Sequence, residues 1–396
     1  MVKSLRKSNL ELLRIISMIL IVMSHCDDIF GLYSLYRYTL GINKLITDWL
    51  HIGGQIGVGC FLLISGYFMV DQKITAKKII KTAGVTWFYS IGIWFIWIVF
   101  IICSNSVSDV GLTDILKNSM YSLFPIIFSH YWFVTAYIIL MIFSPFLNKF
   151  IASMNKKEYS ALLIALIAIF VVIGCGFPLA LLGEGMPSFL SGMFGGRLIP
   201  VFIVYFVAGY IRKFGNPTKK NAPKHIFIAI LFYILLFFLA YIITYLGNRT
   251  DNRSITALCY YYRVLNSPLI MVISVELFIG FTKLDISYNP FINLVAGSTF
   301  GVYLIHSNCI AAQIFLPALL PIYKEDNSLL LFLYSVLGVV ALYVCCTLIE
   351  LLCQRTVDKL WMHYLDTRFC EQYQIILRGA KFIWAKAAAL LTQYYN

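Results

Sequence analysis

Residues Asn9–Asp28 read NLELLRIISMILIVMSHCDD, and this stretch decides the fold class. It is apolar enough for a membrane-spanning helix, which needs roughly 20 residues. Yet it carries Arg14 near its start and His25 near its end, eleven residues apart. On a helix that separation amounts to three turns plus about 20°, so both side chains share one face, about 16 Å apart along the axis. They cannot touch each other, but an elongated ligand lying along the helix could touch both. Asp28 follows His25 by three residues and Glu11 precedes Arg14 by three, each within reach of its neighbour on the helix surface. Ionisable groups inside a span are costly and by default mark a functional site.

The rest of the 396-residue chain is of the same kind, 60% hydrophobic and only 12% charged, with a mean hydropathy of +0.83. A soluble domain carries about a quarter of charged residues, so the composition excludes a soluble globular protein. Lys3, Arg6 and Lys7 give the first apolar run a basic flank like that of a signal peptide. No small-residue cleavage site follows it, and the segment reads as a retained span. The 10 cysteines fall mostly inside apolar runs, where cysteine behaves as a small hydrophobe. Their spacing indicates neither a disulfide framework nor a metal site.

Apolar segments long enough to span lie near 9–26, 53–70, 84–103, 129–148, 159–177, 197–213, 226–246, 264–281, 291–310 and 328–352. The expected fold is all-α, a polytopic bundle of about ten transmembrane helices. Connecting stretches on one side hold 22 Lys and Arg and those on the other hold 7, which places both termini in the cytoplasm by the positive-inside rule. That asymmetry accounts for the net charge of +13, which therefore says nothing of nucleic acid. Residues 27–52 and 104–128 are expected as short external loops. The chain divides into a transmembrane domain, 1–352, and a basic, aromatic tail, 353–396, expected to lie on the inner leaflet as an amphipathic helix.

Four further places carry polar or glycine-rich patterns. The second span, from Gly53 to Phe68, is rich in glycine, which serves close helix packing and also leaves room for a ligand. The fourth opens His130-Tyr131-Trp132-Phe133 and continues to Tyr137. Arg197 follows Gly195-Gly196 at the start of the sixth, and the ninth carries Tyr303 and His306 one turn apart. Glu276 lies well inside the eighth span, where it must be protonated or paired. No phosphate-binding glycine loop, nucleophile elbow or dinucleotide fingerprint occurs.

These residues resemble the acyltransferase 3 family of integral-membrane O-acyltransferases. The likeness rests on Glu11-Leu12-Leu13-Arg14 with ten residues to His25, on Phe61-Leu62-Leu63-Ile64-Ser65-Gly66-Tyr67, on Trp132 to Tyr137, and on Gly301 to His306. It extends from about residue 8 to 350, and the arginine–histidine spacing is its most specific part. The resemblance implies a membrane enzyme that takes an acyl group, commonly acetyl, from cytoplasmic acyl-CoA and passes it to a hydroxyl of an extracytoplasmic glycan. It implies His25 with Asp28 as catalytic residues, and Arg14, Glu11, Ser65 and Gly66 as the acyl-donor side. Trp132, Tyr137, Arg197, Tyr303 and His306 are candidates for acceptor or oxyanion contacts. Acetyl-CoA would be a co-substrate, with no resident cofactor or metal, and the home a bacterial cell membrane. The appended esterase-like module of some members is expected to be absent. General-base action by His25 and a transient acyl-histidine are both open. The competing class is a transporter or flippase of a lipid-linked glycan or small solute, whose intramembrane charges would line a pathway.

Overall fold

The computed structural model describes residues 7–104, 110–128, 131–173, 198–215, 221–252, 255–256, 258, 264–319 and 327–356. Among these there is no β-strand. The helices are α1 (Ser8–Ile29), α2 (Leu32–Tyr36), α3 (Ile42–Met69), α4 (Ala76–Cys103), α5 (Leu112–Leu123), α6 (Trp132–Ser153), α7 (Lys156–Leu166), α8 (Leu198–Phe214), α9 (Ala222–Arg249), α10 (Pro268–Lys283), α11 (Pro290–His306) and α12 (Ser328–Arg355). A π-helical stretch, Ile167–Ile173, continues α7.

Within the described residues, each apolar segment expected to span falls largely on a helix. Five of them (α3, α4, α6, α9 and α12) are long and apolar enough to cross a membrane. The others fall short for identifiable reasons. Helices α8, α10 and α11 have 17, 16 and 17 residues, α7 has 11 before its π-helical stretch, and α1 carries Glu11, Arg14, Asp27 and Asp28. Two expected loops prove partly helical. Residues 42–52 are the first turns of α3, continuous with the glycine-rich segment, and 112–123 form α5. The tail beyond residue 356 and Arg197 lie outside the described residues.

Local chemistry sets the helix ends. Prolines open α9, α10 and α11, where the missing N–H costs nothing and φ is already helical. Asn155 and Glu158 form a reciprocal capping box on α7. Asn289 and Asn327 accept from the first free amides of α11 and α12. Lys213 Nζ donates to the carbonyls of Ile151, Ala152 and Met154, closing the last turn of α6 from α8.

The centre of the bundle is α1 against α3. In α3 72% of the most apolar stretch is buried, against 22% in α9, so α3 is interior and α9 peripheral. Glycines set the spacing. A Cβ on Gly53 would stand 2.7 Å from Leu20 Cδ2, one on Gly54 2.5 Å from Ser24, and one on Gly57 2.9 Å from Ile21 Cγ1, all on α1. Missing side chains let the two backbones approach, which is how apolar helices associate where no water is left to expel. Helix α1 also packs on α10, α11 and α12. Its N-terminus is tied down by Asn9 Nδ2, which donates to Phe281 O at 2.8 Å and Leu284 O at 3.1 Å. Ser8 Oγ accepts from Asn289 N and Asn293 Nδ2. The starts of α1 and α11 and the end of α10 therefore share one end of the bundle, and His25 and His306 both reach the opposite end.

Candidate active site

At that opposite end α1 and α11 bring two imidazoles together. His25 Nδ1 lies 3.0 Å from His306 Nε2, and the hydroxyl of Ser307 is 3.2 Å from the first and 3.3 Å from the second. His306 Nδ1 stands 2.6 Å from the Val302 carbonyl, one turn back on its own helix. A carbonyl can only accept, so Nδ1 of His306 carries a proton. In the neutral ring Nε2 is then the bare nitrogen, ready to accept from His25 Nδ1–H. This assignment, made from the hydrogen-bond network, leaves His25 Nε2 as the basic atom.

The segment after His306 is held by a second polar group. Asn308 Nδ2 donates to the Tyr131 hydroxyl at 2.8 Å, and that hydroxyl donates to Leu304 O at 2.9 Å. Asn308 Oδ1 also accepts from the amides of Ile310 and Ala311. Tyr131, Asn308 and His306 are fully buried, so these bonds replace ones that water would otherwise make.

Two cavities meet at His25. The wider, about 200 Å³, is lined by His25, Asp28, Trp132, Tyr303, His306 and Ser307 among others. The narrower, about 40 Å³, runs down α1 past Ser24, Ile21 and Met18, with Val58, Phe61 and Phe133 on its other walls. His25, Trp132 and Tyr303 border both. At the far end of this line the Arg14 guanidinium lies over the Phe61 ring, 5.9 Å from its centre, and pairs with Glu11 at 2.7 Å. Glu11 is buried while Arg14 keeps part of its surface exposed. Tyr137 lies beside Ser65 and within electrostatic reach of Arg14. Its ring stacks on Phe133, which meets Phe61 and Tyr303 edge-on, so an aromatic seam joins the two ends.

The expected residues thus divide into two groups. Arg14, Glu11, Ser65 and Tyr137 gather at one end, so Tyr137 stands with Arg14 rather than with His25. His25, Asp28, Trp132, Tyr303 and His306 gather at the other. Gly66 faces helix α8, where a Cβ would stand 2.9 Å from Ala208 Cβ and 3.2 Å from Tyr205 Cδ2. His25 Nδ1 is turned to His306, while Asp28 lines the wider cavity beside His25. The Asp28 carboxylate belongs to a set with Asp27 and His51, whose donor atoms all lie within 4.8 Å of one another. Within it His51 Nδ1 is 3.0 Å from Asp27 Oδ2, and Tyr33 stacks on the His51 ring. Two carboxylates and an imidazole are oxygen and nitrogen donors of the kind that could hold a divalent cation, a grouping that the spacing of the sequence did not suggest. Ser307, Asn308, Tyr131 and His51 were missed, although the run His306-Ser307-Asn308 at the end of an apolar segment was the available signal. Glu276 finds His225 at 2.6 Å, and Lys283 Nζ lies 3.1 Å from the other nitrogen of that ring.

Apolar helices packed around two facing imidazoles, with Arg14 further along the helix that carries one of them, define a membrane protein. The acyltransferase 3 family model, described as an acyltransferase domain, matches residues 7–351, and the chain belongs to that family. No curated protein and no solved structure matches it.

Proposed function

We propose that this membrane acyltransferase moves an acetyl or similar acyl group from cytoplasmic acyl-CoA to a hydroxyl of an extracytoplasmic cell-surface glycan, in a bacterial cell membrane. The observation that carries the reading is His25 at the meeting point of the two cavities, its Nδ1 engaged by His306. The excess of Lys and Arg in the connections on the Arg14 side supports a cytoplasmic location for that side. Acyl-CoA would enter there. Arg14, held by Glu11 and Phe61, supplies a fixed cation for its polar part, and the thin thioester arm would follow α1 to His25. The narrow cavity holds little more than a water molecule, so the arm must displace side chains such as Phe61 as it enters.

At the wider cavity the acceptor hydroxyl would meet His25. Its oxygen attacks the thioester carbonyl while His25 Nε2 takes its proton. The tetrahedral intermediate collapses with loss of the carbon–sulfur bond, and the same proton passes from His25 to the leaving thiolate, so one imidazole serves both halves. His306 stabilises the transient imidazolium by accepting from Nδ1–H. Tyr303, which borders both cavities, is the candidate donor to the oxyanion.

Membranes carrying wild-type or His25→Ala protein, incubated with radiolabelled acetyl-CoA, provide the test. Label should enter base-labile ester on cell-surface glycan in the wild type and be lost in the variant at equal expression. Equal labelling in both would remove His25 from the chemistry. No labelling from acetyl-CoA, succinyl-CoA or other acyl donors would turn the reading to transport of a lipid-linked glycan.

A further inference from the structure

Helix α5 lies in a region whose sequence reads as an external loop, yet it does not stand clear of the bundle. Trp87 Nε1 donates to Leu123 O at 3.2 Å, Trp94 Nε1 to Ser119 Oγ at 3.0 Å, and Ile115 packs beside Trp97 and Ile101. Contacts that advance along α4 retreat along α5, so the two helices run antiparallel, with α5 alongside the C-terminal half of α4. Helix α4 is long and apolar enough to cross a membrane, and its outward Phe95 and Ile96 are 60% and 61% exposed. A helix laid along that half occupies the same depth.

The faces of α5 agree. Ile115, Ser119 and Ser122 turn towards α4 and the bundle. Leu112, Leu116 and Met120 point outward, 71%, 56% and 46% exposed, and fall within about 80° of arc. Asp114 and Lys117 occupy the third face, also exposed. Large apolar side chains in one exposed stripe call for a partner. The backbone gives a second indication. Water is absent from the hydrocarbon, so the carbonyls left over at a helix end need partners from the protein. The indole of Trp87 supplies one for Leu123, and Thr135 Oγ1 supplies one for Ile126 at 2.9 Å.

We propose that α5 is a re-entrant helix, entering the membrane from the end that holds His25 and contacting lipid hydrocarbon through Leu112, Leu116 and Met120. The occupant of this stripe is lipid rather than protein, because the stripe lies beside the outward apolar side chains of a spanning helix. This inference is independent of the catalytic reading.

A photoreactive benzoylphenylalanine placed at Leu116 tests it in the full chain in its native membrane, with Phe95 on α4 and Asp114 on the third face for comparison. Irradiation should attach phospholipid at Leu116 as efficiently as at Phe95, and much less at Asp114. In parallel, Leu116→Cys should react with a membrane-impermeant maleimide about tenfold more slowly than Asp114→Cys, each measured as the increment over the parent protein. Equal reaction rates for the two cysteines would put Leu116 in water and overturn the proposal. Crosslinking at Leu116 into a dimer of the chain would overturn it in favour of a second copy. Both sites are exposed, so these substitutions leave packing undisturbed.

Discussion

His306 Nε2 stands 3.0 Å from His25 Nδ1, although 281 residues separate the two along the chain. The contact gives His25 what a carboxylate gives the histidine of a hydrolase triad, an acceptor that fixes the ring and its tautomer. It differs in being neutral. His306 is itself fixed by the Val302 carbonyl, so orientation passes from the helix backbone through two rings to the basic nitrogen.

His306→Ala should therefore lower kcat for acyl transfer by about 100-fold, within the usual range for a positioned proton-transfer group, and leave KM for the acyl donor nearly unchanged. His306→Gln retains an acceptor oxygen and should recover part of that loss. Steady-state acetylation of membranes by the three proteins checks both. A fall in donor affinity with kcat intact would place His306 in binding instead.

At the other end Arg14 is gripped twice, by Glu11 at 2.7 Å and by the face of Phe61. A planar, forked cation satisfies both contacts, and a lysine cannot reproduce them. Arg14→Lys should raise KM for acetyl-CoA about tenfold, equivalent to losing roughly one charge-assisted hydrogen bond, with a smaller effect on kcat. Donor-concentration curves at saturating acceptor read this out. An unchanged curve removes Arg14 from the donor side.

Asn308 makes a third testable point. Its side chain serves the Tyr131 hydroxyl and two backbone amides, all buried. Asn308→Ala leaves those partners without a bond, at a cost of about 1–3 kcal/mol each in a dry site. Thermal unfolding in detergent should show a lowered midpoint, and kcat should fall, because Ser307 and His306 precede Asn308 directly. A variant with wild-type stability would show that water replaces the amide there.

How much of this was legible in the sequence follows from the range of the interactions. The apolar runs are local, and within the described residues each falls largely on a helix. Arg14 and Glu11, three residues apart on one helix, could be paired from spacing alone. His25 and His306 could each be suspected as intramembrane histidines, but their pairing depends on how α11 docks against α1, which no local pattern encodes. Asp28 beside His25 could be read from the sequence, because the two are three residues apart on one helix. Helix α5 was hidden because LTDILKNSMYSL mixes polar residues into its stripe, and hydropathy averaged over a window erases that arrangement.

Gly301 and Glu350 carry the last prediction. Glu350 is buried between α4, α11 and α12, where Tyr89 donates to its Oε2 and Gln354 donates to its Oε1 at 2.6 Å. Its side chain fills the space above Gly301. A Cβ there would stand 2.7 Å from Glu350 Cγ and closer still to the carboxylate. Two hydrogen bonds hold the carboxylate, so it cannot swing away without breaking one of them. Gly301→Ala should therefore destabilise the protein by about 1–3 kcal/mol, as overpacking does. It should also lower activity, because the displaced helix carries Tyr303 and His306. In an Glu350→Ala background the clash is gone, and the same substitution should cost nearly nothing. Melting curves of the four proteins form a double-mutant cycle, and a coupling of more than about 1 kcal/mol is expected for side chains in direct contact. Additive losses would mean that α11 shifts as a whole to admit the methyl group, and that Glu350 does not set its position.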